Sequence, residues 1–308
     1  MATLLFTHPI CLAHDPGPFH PERPERLQAV LAALEAEEFR GLSRHEAPRA
    51  ERAQIERVHA PAYVDAVFAS VPERGQVHLD PDTAVSSASG EAALRAAGAV
   101  CAAVDAVAAG EAKNAFCAVR PPGHHAEASR AIGFCLFNNV AVGAEHARAV
   151  HGLARVAVID FDVHHGNGTQ HSFERDPGLF YASSHQSPFY PGTGSEGERG
   201  VDNVVNVELA PGVGSEAFRN AYETRILPAL AAFAPELVII SAGFDAHVRD
   251  PLAQLRVETD DFEWVTKAVL DAAGVSAEGR CVASLEGGYD LDALAECVTV
   301  HVRALVER

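Results

Sequence analysis

Asp162 and His164 stand two residues apart, directly after an apolar run, Val156–Phe161, that reads as a strand. In extended backbone such positions project to the same side, so a carboxylate and an imidazole face one point. Asp245 follows a second run of the same kind, Leu237–Ser241. Two carboxylates and one imidazole leave a coordination position open, the pattern of a catalytic zinc site and not of a closed structural one. Taken alone, the Asp-x-His pair reads more simply as a helix cap beside a core histidine. Its convergence with Asp245 carries the metal reading.

His124 and His125 follow the turn Pro121-Pro122-Gly123. Paired histidines in a loop are usually surface residues, but here they end a third strand-like run, Phe116–Val119, next to the metal candidates. Histidine is the side chain best suited to move protons near neutral pH. Tyr289 follows Gly287-Gly288 after a fourth run, Arg280–Leu285. A phenol held there would serve as a hydroxyl donor to an oxyanion; the plainer reading is a tyrosine packed at a loop edge. Phe134, after Gly133, and Tyr190, before Pro191-Gly192, supply aromatic groups that could wall a narrow apolar channel.

The elements that must position these groups alternate. To the four runs are added Leu179–Ser183 and Val204–Leu209 as strands. Helical patterns cover Glu22–Phe39, Ala84–Ala109, Asn138–Val150, Ser215–Phe233, Thr259–Ala273 and Leu291–Val306. Continuous apolar strands between helices predict an α/β fold, a doubly wound and mainly parallel sheet with helices on both faces. Sites in such sheets lie beyond the C-terminal strand ends, where the titratable residues above collect. No Pro/Gly/Ser-rich linker divides the 308 residues, so one domain over residues 1–308 is expected.

A net charge of −18 opposes a nucleic-acid surface and would draw a cationic substrate inward, although it also simply promotes solubility. The six cysteines form no CxxC pair and read as reduced core thiols of a cytoplasmic protein. The N-terminal apolar stretch is too short and lacks the basic flank of a signal peptide. The longest apolar run, near Ala92–Ala109, is broken by Arg95 and Asp105, which suits a buried helix and not a membrane span. The oligomeric state is left open by the sequence.

Seven strings now stand in order: His20–Leu27 (HPERPERL), Arg120–Glu127 (RPPGHHAE), Gly133–Val142 (GFCLFNNVAV), Asp160–Gln170 (DFDVHHGNGTQ), Pro191–Gly194 (PGTG), Ser241–His247 (SAGFDAH) and Leu285–Leu291 (LEGGYDL). Together they resemble the histone deacetylase and acetylpolyamine amidohydrolase family over nearly the whole chain, and its class II branch in having Asn167 where class I members carry aspartate. The resemblance implies an arginase-like fold and hydrolysis of an acyl amide. It assigns Asp162, His164 and Asp245 to one metal ion per chain, zinc by default; iron(II) or cobalt suits the same donors. His125 would be the general base, His124 its electrostatic partner, Asp160 and Asn167 the groups orienting them, and Tyr289 the oxyanion donor. Asn167 adds no negative charge, so His125 should be less basic than in a His–Asp pair.

The resemblance further implies a channel walled by Phe134 and Tyr190, the latter in place of the more usual phenylalanine, with the Gly133 carbonyl offered to the substrate amide. It also implies a monovalent cation, K+ or Na+, on backbone oxygens of Asp160, Asp162, His164 and Ser184 and the Ser183 hydroxyl. Leu252, after Asp250-Pro251, stands where the polyamine-preferring member has glutamate, which favours acylated lysine over an acylated small amine such as an acetylpolyamine; otherwise Asp80 or Asp82 would have to read the distal amine. Two other classes fit less well. A two-metal ureohydrolase needs a DxD pair where Asp245 is followed by Ala246 and His247. A non-catalytic acyl-lysine binder would have no need of every catalytic position being filled.

Overall fold

Val156, Ala157, Val158, Ile159 and Asp160 have no exposed surface at all. A strand apolar on both faces must be covered on both, which is the signature of a parallel sheet inside helices. The computed structural model describes residues 2–308. Its main sheet contains β1 (Leu4–Thr7), β2 (Ser43–Glu46), β5 (Asn114–Cys117), β6 (Val156–Asp160), β7 (Leu179–Gln186), β8 (Val204–Leu209), β9 (Leu237–Ala242) and β10 (Cys281–Leu285). The remaining strands, β3 (Gln76–His78) and β4 (Ala84–Ser86), form a separate antiparallel hairpin. The eight strands lie in the order β2-β1-β5-β10-β9-β6-β7-β8, and all pairings are parallel.

Two helix groups cover the sheet. Ser89–Ala108 packs against Asn139–His151, and Leu291–Val306 packs against Thr259–Ala273 and Pro24–Ala33. Apolar side chains from both groups join the strands in one large core that includes Val100, Val140, Ile239, Phe262 and Leu294. Truncating a fully buried residue such as Ile239 to alanine would cost on the order of 2–5 kcal/mol. Among the described residues no helix is long and apolar enough to cross a membrane.

The structure departs from the sequence reading at several element ends. Ala84–Ser86 is the hairpin strand β4, and the helix starts only at Ser89, whose hydroxyl takes the Ser86 amide at 2.7 Å; side-chain bonding of this kind competes with helix. The first helix begins at Pro24, which fits the first helical position, and ends at Ala33, well short of Phe39. Ser215–Phe233 is not one regular helix: a π-helical turn, Tyr222–Ile226, interrupts it just ahead of Pro228, which has no N–H to give. β1 and β2 escaped the sequence reading, one being four residues long and the other, Ser-Arg-His-Glu, an exposed edge without apolar pattern.

Candidate active site

β5, β10, β9 and β6 are four consecutive strands at the centre of the sheet, and their C-terminal ends carry the catalytic candidates to one rim. Beyond β6, His164 Nδ1 lies 2.9 Å from Asp162 Oδ1 and 3.2 Å from Asp245 Oδ2. One donor atom from each of Asp162, His164 and Asp245 falls within 4.8 Å of the others, and all three residues are buried. Val163 N–H donates to Asp245 Oδ1 and Gly287 N–H to Asp162 Oδ2, both at 2.8 Å, which fixes the carboxylate planes. Asp245 Oδ2 is buried and accepts no hydrogen bond. A Cβ on Gly287 would overlap both the Asp245 and Asp162 Oδ2 atoms, so only glycine leaves this cradle open.

The electrostatics ask for positive charge at the same point. Burial opposes protonation of His164, yet the neighbouring Asp162 and Asp245 hold it up at about 10. Burial, with Asp162 alongside, pushes the Asp245 carboxyl up to about 6. Two buried carboxylates with an unpaired oxygen between them fit a cation, and a mixed oxygen/nitrogen set suits zinc or a neighbouring first-row ion.

Asp105, His146 and His151 also bring three donors within 4.8 Å, but their hydrogen bonds fit no metal. The Gln54 side-chain oxygen is committed to the Glu51 amide. Gln54 Nε2 and Arg57 Nη1 therefore both donate toward His146 Nδ1, at 3.1 and 3.3 Å. The ring proton is left on Nε2, which donates to Asp105 Oδ1 at 2.7 Å. A ligating histidine has the reverse arrangement, with its second nitrogen donating.

His124 and His125 lie side by side below the channel. Asp160 Oδ2 takes His124 Nδ1 at 3.0 Å and the Tyr181 hydroxyl at 3.1 Å. Burial works against a charged His124, but Asp160 and Asp162 outweigh it and raise the ring to about 10. His125 Nδ1 faces Asn167 Oδ1 at 2.8 Å, while Asn167 Nδ2 donates to Glu127 Oε1 at 2.7 Å. That second bond sets the amide orientation, so His125 carries its proton on Nδ1 and presents the Nε2 lone pair. Burial, reinforced by the charges of His124 and His164, holds His125 well below the ordinary histidine range.

Gly133 and Phe134 both have positive φ, 58° and 67°, at the centre of a tight turn closed by Ile132 and Cys135. Two left-handed residues in succession make a type I′ turn, which projects the Phe134 ring. A Cβ on Gly133 would strike the His125 ring. Tyr190 stands edge-on to His125 with centroids 5.3 Å apart, Phe134 edge-on to Tyr289 at 6.0 Å, and Phe189 stacks on His164 at 5.1 Å. The resulting cavity, about 80 Å³, is lined by Asp82, Pro122, His124, His125, Gly133, Phe134, His164, Tyr190, Gly287 and Tyr289. Burial, with nearby Asp245 and Asp162 carboxylates, keeps the Tyr289 phenol well above its usual pKa and therefore a donor.

The remaining expected residues sit farther out. Asp82 reaches the cavity, whereas Asp80 shapes the turn, accepting the Asp82 and Thr83 amides at 3.0 and 2.7 Å. Leu252 is half-buried and not among the cavity's lining residues. Ser183 pairs in register with Asp160, and its hydroxyl lies 2.9 Å from His185 Nδ1. Ser184 Oγ donates to the Tyr222 hydroxyl at 3.2 Å, and Tyr222 in turn reaches the Asp160 carbonyl at 3.5 Å.

Several supporting residues were not identified from sequence. Glu22, Arg26 and Arg120 are fully buried, with Arg120 clamped on both Glu22 oxygens and Arg26 Nη1 on Glu22 Oε1 at 3.0 Å. Burial opposes ionisation of Glu22, but Arg120 keeps it well below the usual carboxylate range. Arg26 also donates to the Gly288 and Glu286 carbonyls, each at 2.5 Å, with its guanidinium 4.8 Å from the Tyr289 ring centroid. Glu286 Oε2 accepts the Gly123 and His124 amides at 2.7 and 3.2 Å, tying the histidine loop to the end of β10. The available signal was four charged residues, Glu22, Arg26, Arg120 and Glu286, inside strings otherwise read for their histidine and tyrosine.

The histone deacetylase domain model matches residues 20–305. The chain is 38% identical to histone deacetylase 14, chloroplastic, of Arabidopsis thaliana, over 99% of this chain and 77% of that one. It is 39% identical to the histone deacetylase-like amidohydrolase of Pseudomonas aeruginosa, over 93% and 81%. The crystal structure of the HDA15 HD domain superposes with a TM-score of 0.94 at 35% identity, covering 100% of this chain and 89% of that one.

Proposed function

The chain belongs to the histone deacetylase family, and on that premise we propose that it is a zinc-dependent deacetylase that hydrolyses the acyl amide of acetyl-lysine or a similar acylated amine. The observation that carries the reading is that His124, His125, His164 and Tyr289 line a single cavity with aromatic walls at Phe134 and Tyr190. Asp162, His164 and Asp245 would hold the ion, which when bound supplies Lewis acidity and lowers the pKa of water. A monovalent cation on Asp160, Asp162, His164, Ser183 and Ser184 belongs to the same proposal.

The protein's own residues divide the remaining work. Phe134 and Tyr190 strip water from an aliphatic chain, and Gly133 and Asp82 meet the polar atoms at its ends. His125 Nε2 accepts a proton from the attacking water as the water oxygen bonds to the acyl carbon. The Tyr289 hydroxyl donates to the oxygen that becomes negative. When the carbon–nitrogen bond breaks, the histidine pair returns a proton to the leaving amine, giving a carboxylate and a free amine. His124, held charged by Asp160, offsets the negative charge that accumulates.

The test is acetate release from an acetyl-lysine peptide, with metal content measured on the same samples. Activity should vanish on chelation and return with zinc, and Asp162→Ala or Asp245→Ala should lose most of the bound metal. About one ion per chain is expected from a three-ligand site; two tightly held ions would overturn the single-metal assignment.

A further inference from the structure

We propose that Asp250 is the positioning residue for Tyr289, fixing the oxyanion donor to the segment that carries Leu252. The proposal rests on the deacetylase reading above. Tyr289 follows two glycines, the second at φ 121°, so no side chain stiffens the backbone that leads into it. Arg26 holds the carbonyls before it, at Glu286 and Gly288, and Gly287 N–H is spent on Asp162. The Tyr289 amide itself has a different partner, Asp250 Oδ2, at 2.7 Å.

The other oxygen of the same carboxylate, Oδ1, accepts the Leu252 amide at 2.9 Å. Asp250 is 8% exposed, and its own amide donates to the His247 carbonyl at 2.9 Å. One buried carboxylate thus spans the loop after β9, which carries Asp245, and the loop after β10, which carries Tyr289. Burial raises the Asp250 carboxyl to about 7, and the Leu252 and Tyr289 amides oppose that by favouring the ionised form, to which hydrogen bonds are roughly twice as strong as neutral ones. An asparagine cannot accept at both oxygen positions: whichever amide faces its NH2 group loses its acceptor and meets another donor. The bond to Leu252 alone is a local turn. The bond to Tyr289 spans 39 positions and sets the backbone from which the phenol projects.

The experiment is a double-mutant cycle on the metal-loaded enzyme with Asp250→Asn and Tyr289→Phe, read as kcat and KM on an acetyl-lysine peptide. A residue acting through Tyr289 loses its effect once the hydroxyl is gone. Asp250→Asn should cut kcat on the order of 10- to 100-fold with KM nearly unchanged, as small misplacements of a catalytic group do. In the Tyr289→Phe background it should change kcat less than about twofold. Asp250→Glu keeps both acceptor oxygens but displaces them, and should show the same vanishing effect if the asparagine variant does not fold. Full additivity in either cycle, or an unchanged kcat, overturns the proposal while leaving the deacetylase reading standing. A wild type inactive on every acetylated amine overturns that reading and the proposal with it.

Discussion

The rings of His124 and His125 lie 4.0 Å apart, tilted by 44°, yet their Nδ1 atoms meet different chemistry, a carboxylate at Asp160 and a carboxamide at Asn167. Burial opposes charge on both rings, but Asp160 and Asp162 raise His124 to about 10, whereas His125, beside a neutral amide and the charges of His124 and His164, is held down, the separation expected of a charged partner beside a base. Asn167→Asp would add negative charge and raise the proton affinity of His125. The base must be neutral to work, so the acid limb of kcat/KM against pH should move to higher pH, by roughly one unit. Glu127 loses its donor in that variant, so Glu127→Gln is made with it. An acid limb that stays in place would remove His125 from the role of base.

Tyr289→Phe deletes one oxyanion donor, for which losses on the order of 100- to 1000-fold in turnover are usual. A trifluoroacetyl substrate, already electrophilic, should be less sensitive. Retention of more than about a third of wild-type turnover on the acetyl substrate, against that expectation, would make the tyrosine structural.

Leu252 offers no charge to a secondary ammonium partway along an acetylpolyamine, and desolvating that ammonium without a partner is costly. The kcat/KM for an acetyl-lysine peptide should therefore exceed that for N8-acetylspermidine, and Leu252→Glu should shift the ratio toward the polyamine. A wild-type preference for acetylspermidine of about tenfold would transfer the reading of the distal amine to Asp82, the carboxylate that reaches the cavity.

His301 is sealed among Phe116, Phe161 and Phe244, with Nδ1 on the Thr266 hydroxyl and Nε2 without a partner. Burial lowers its pKa from 6.5 to about 3. Because the folded state resists the proton, its contribution to stability is complete above pH 6.5 and is lost as pH falls toward 3. At pH 5 the loss is about 2 kcal/mol. His301→Leu should flatten the dependence of Tm on pH in this window, since Thr266 keeps its bond to the Phe262 carbonyl. A slope identical to wild type would refute the assignment.

The catalytic candidates were legible because each follows a strand whose apolar pattern is unmistakable: Asp162 and His164 after β6, Asp245 after β9, Tyr289 after β10. What could not be read were partnerships between distant segments. Glu22 gives no sign that it meets Arg120, 98 positions away, nor Glu286 that it caps the amides of Gly123 and His124. Phe134 looked like a wall residue by type, but its projection depends on a left-handed backbone that phenylalanine rarely adopts. The helix start near Ala84 failed because alanine-rich propensity was outweighed by local serine bonds and pairing with Gln76–His78.

The strand order has a consequence for synthesis. β10 is the last strand made, yet it sits between β5 and β9, which touch no other strand on that side. Until it emerges from the ribosome, the chain can build only two half-sheets, one holding the histidine loop and the other Asp162, His164 and Asp245. The step that joins them also delivers Glu286 and Tyr289. In the proposed mechanism the base, the ligands and the oxyanion donor therefore come together only when this strand is inserted, in a single closing event.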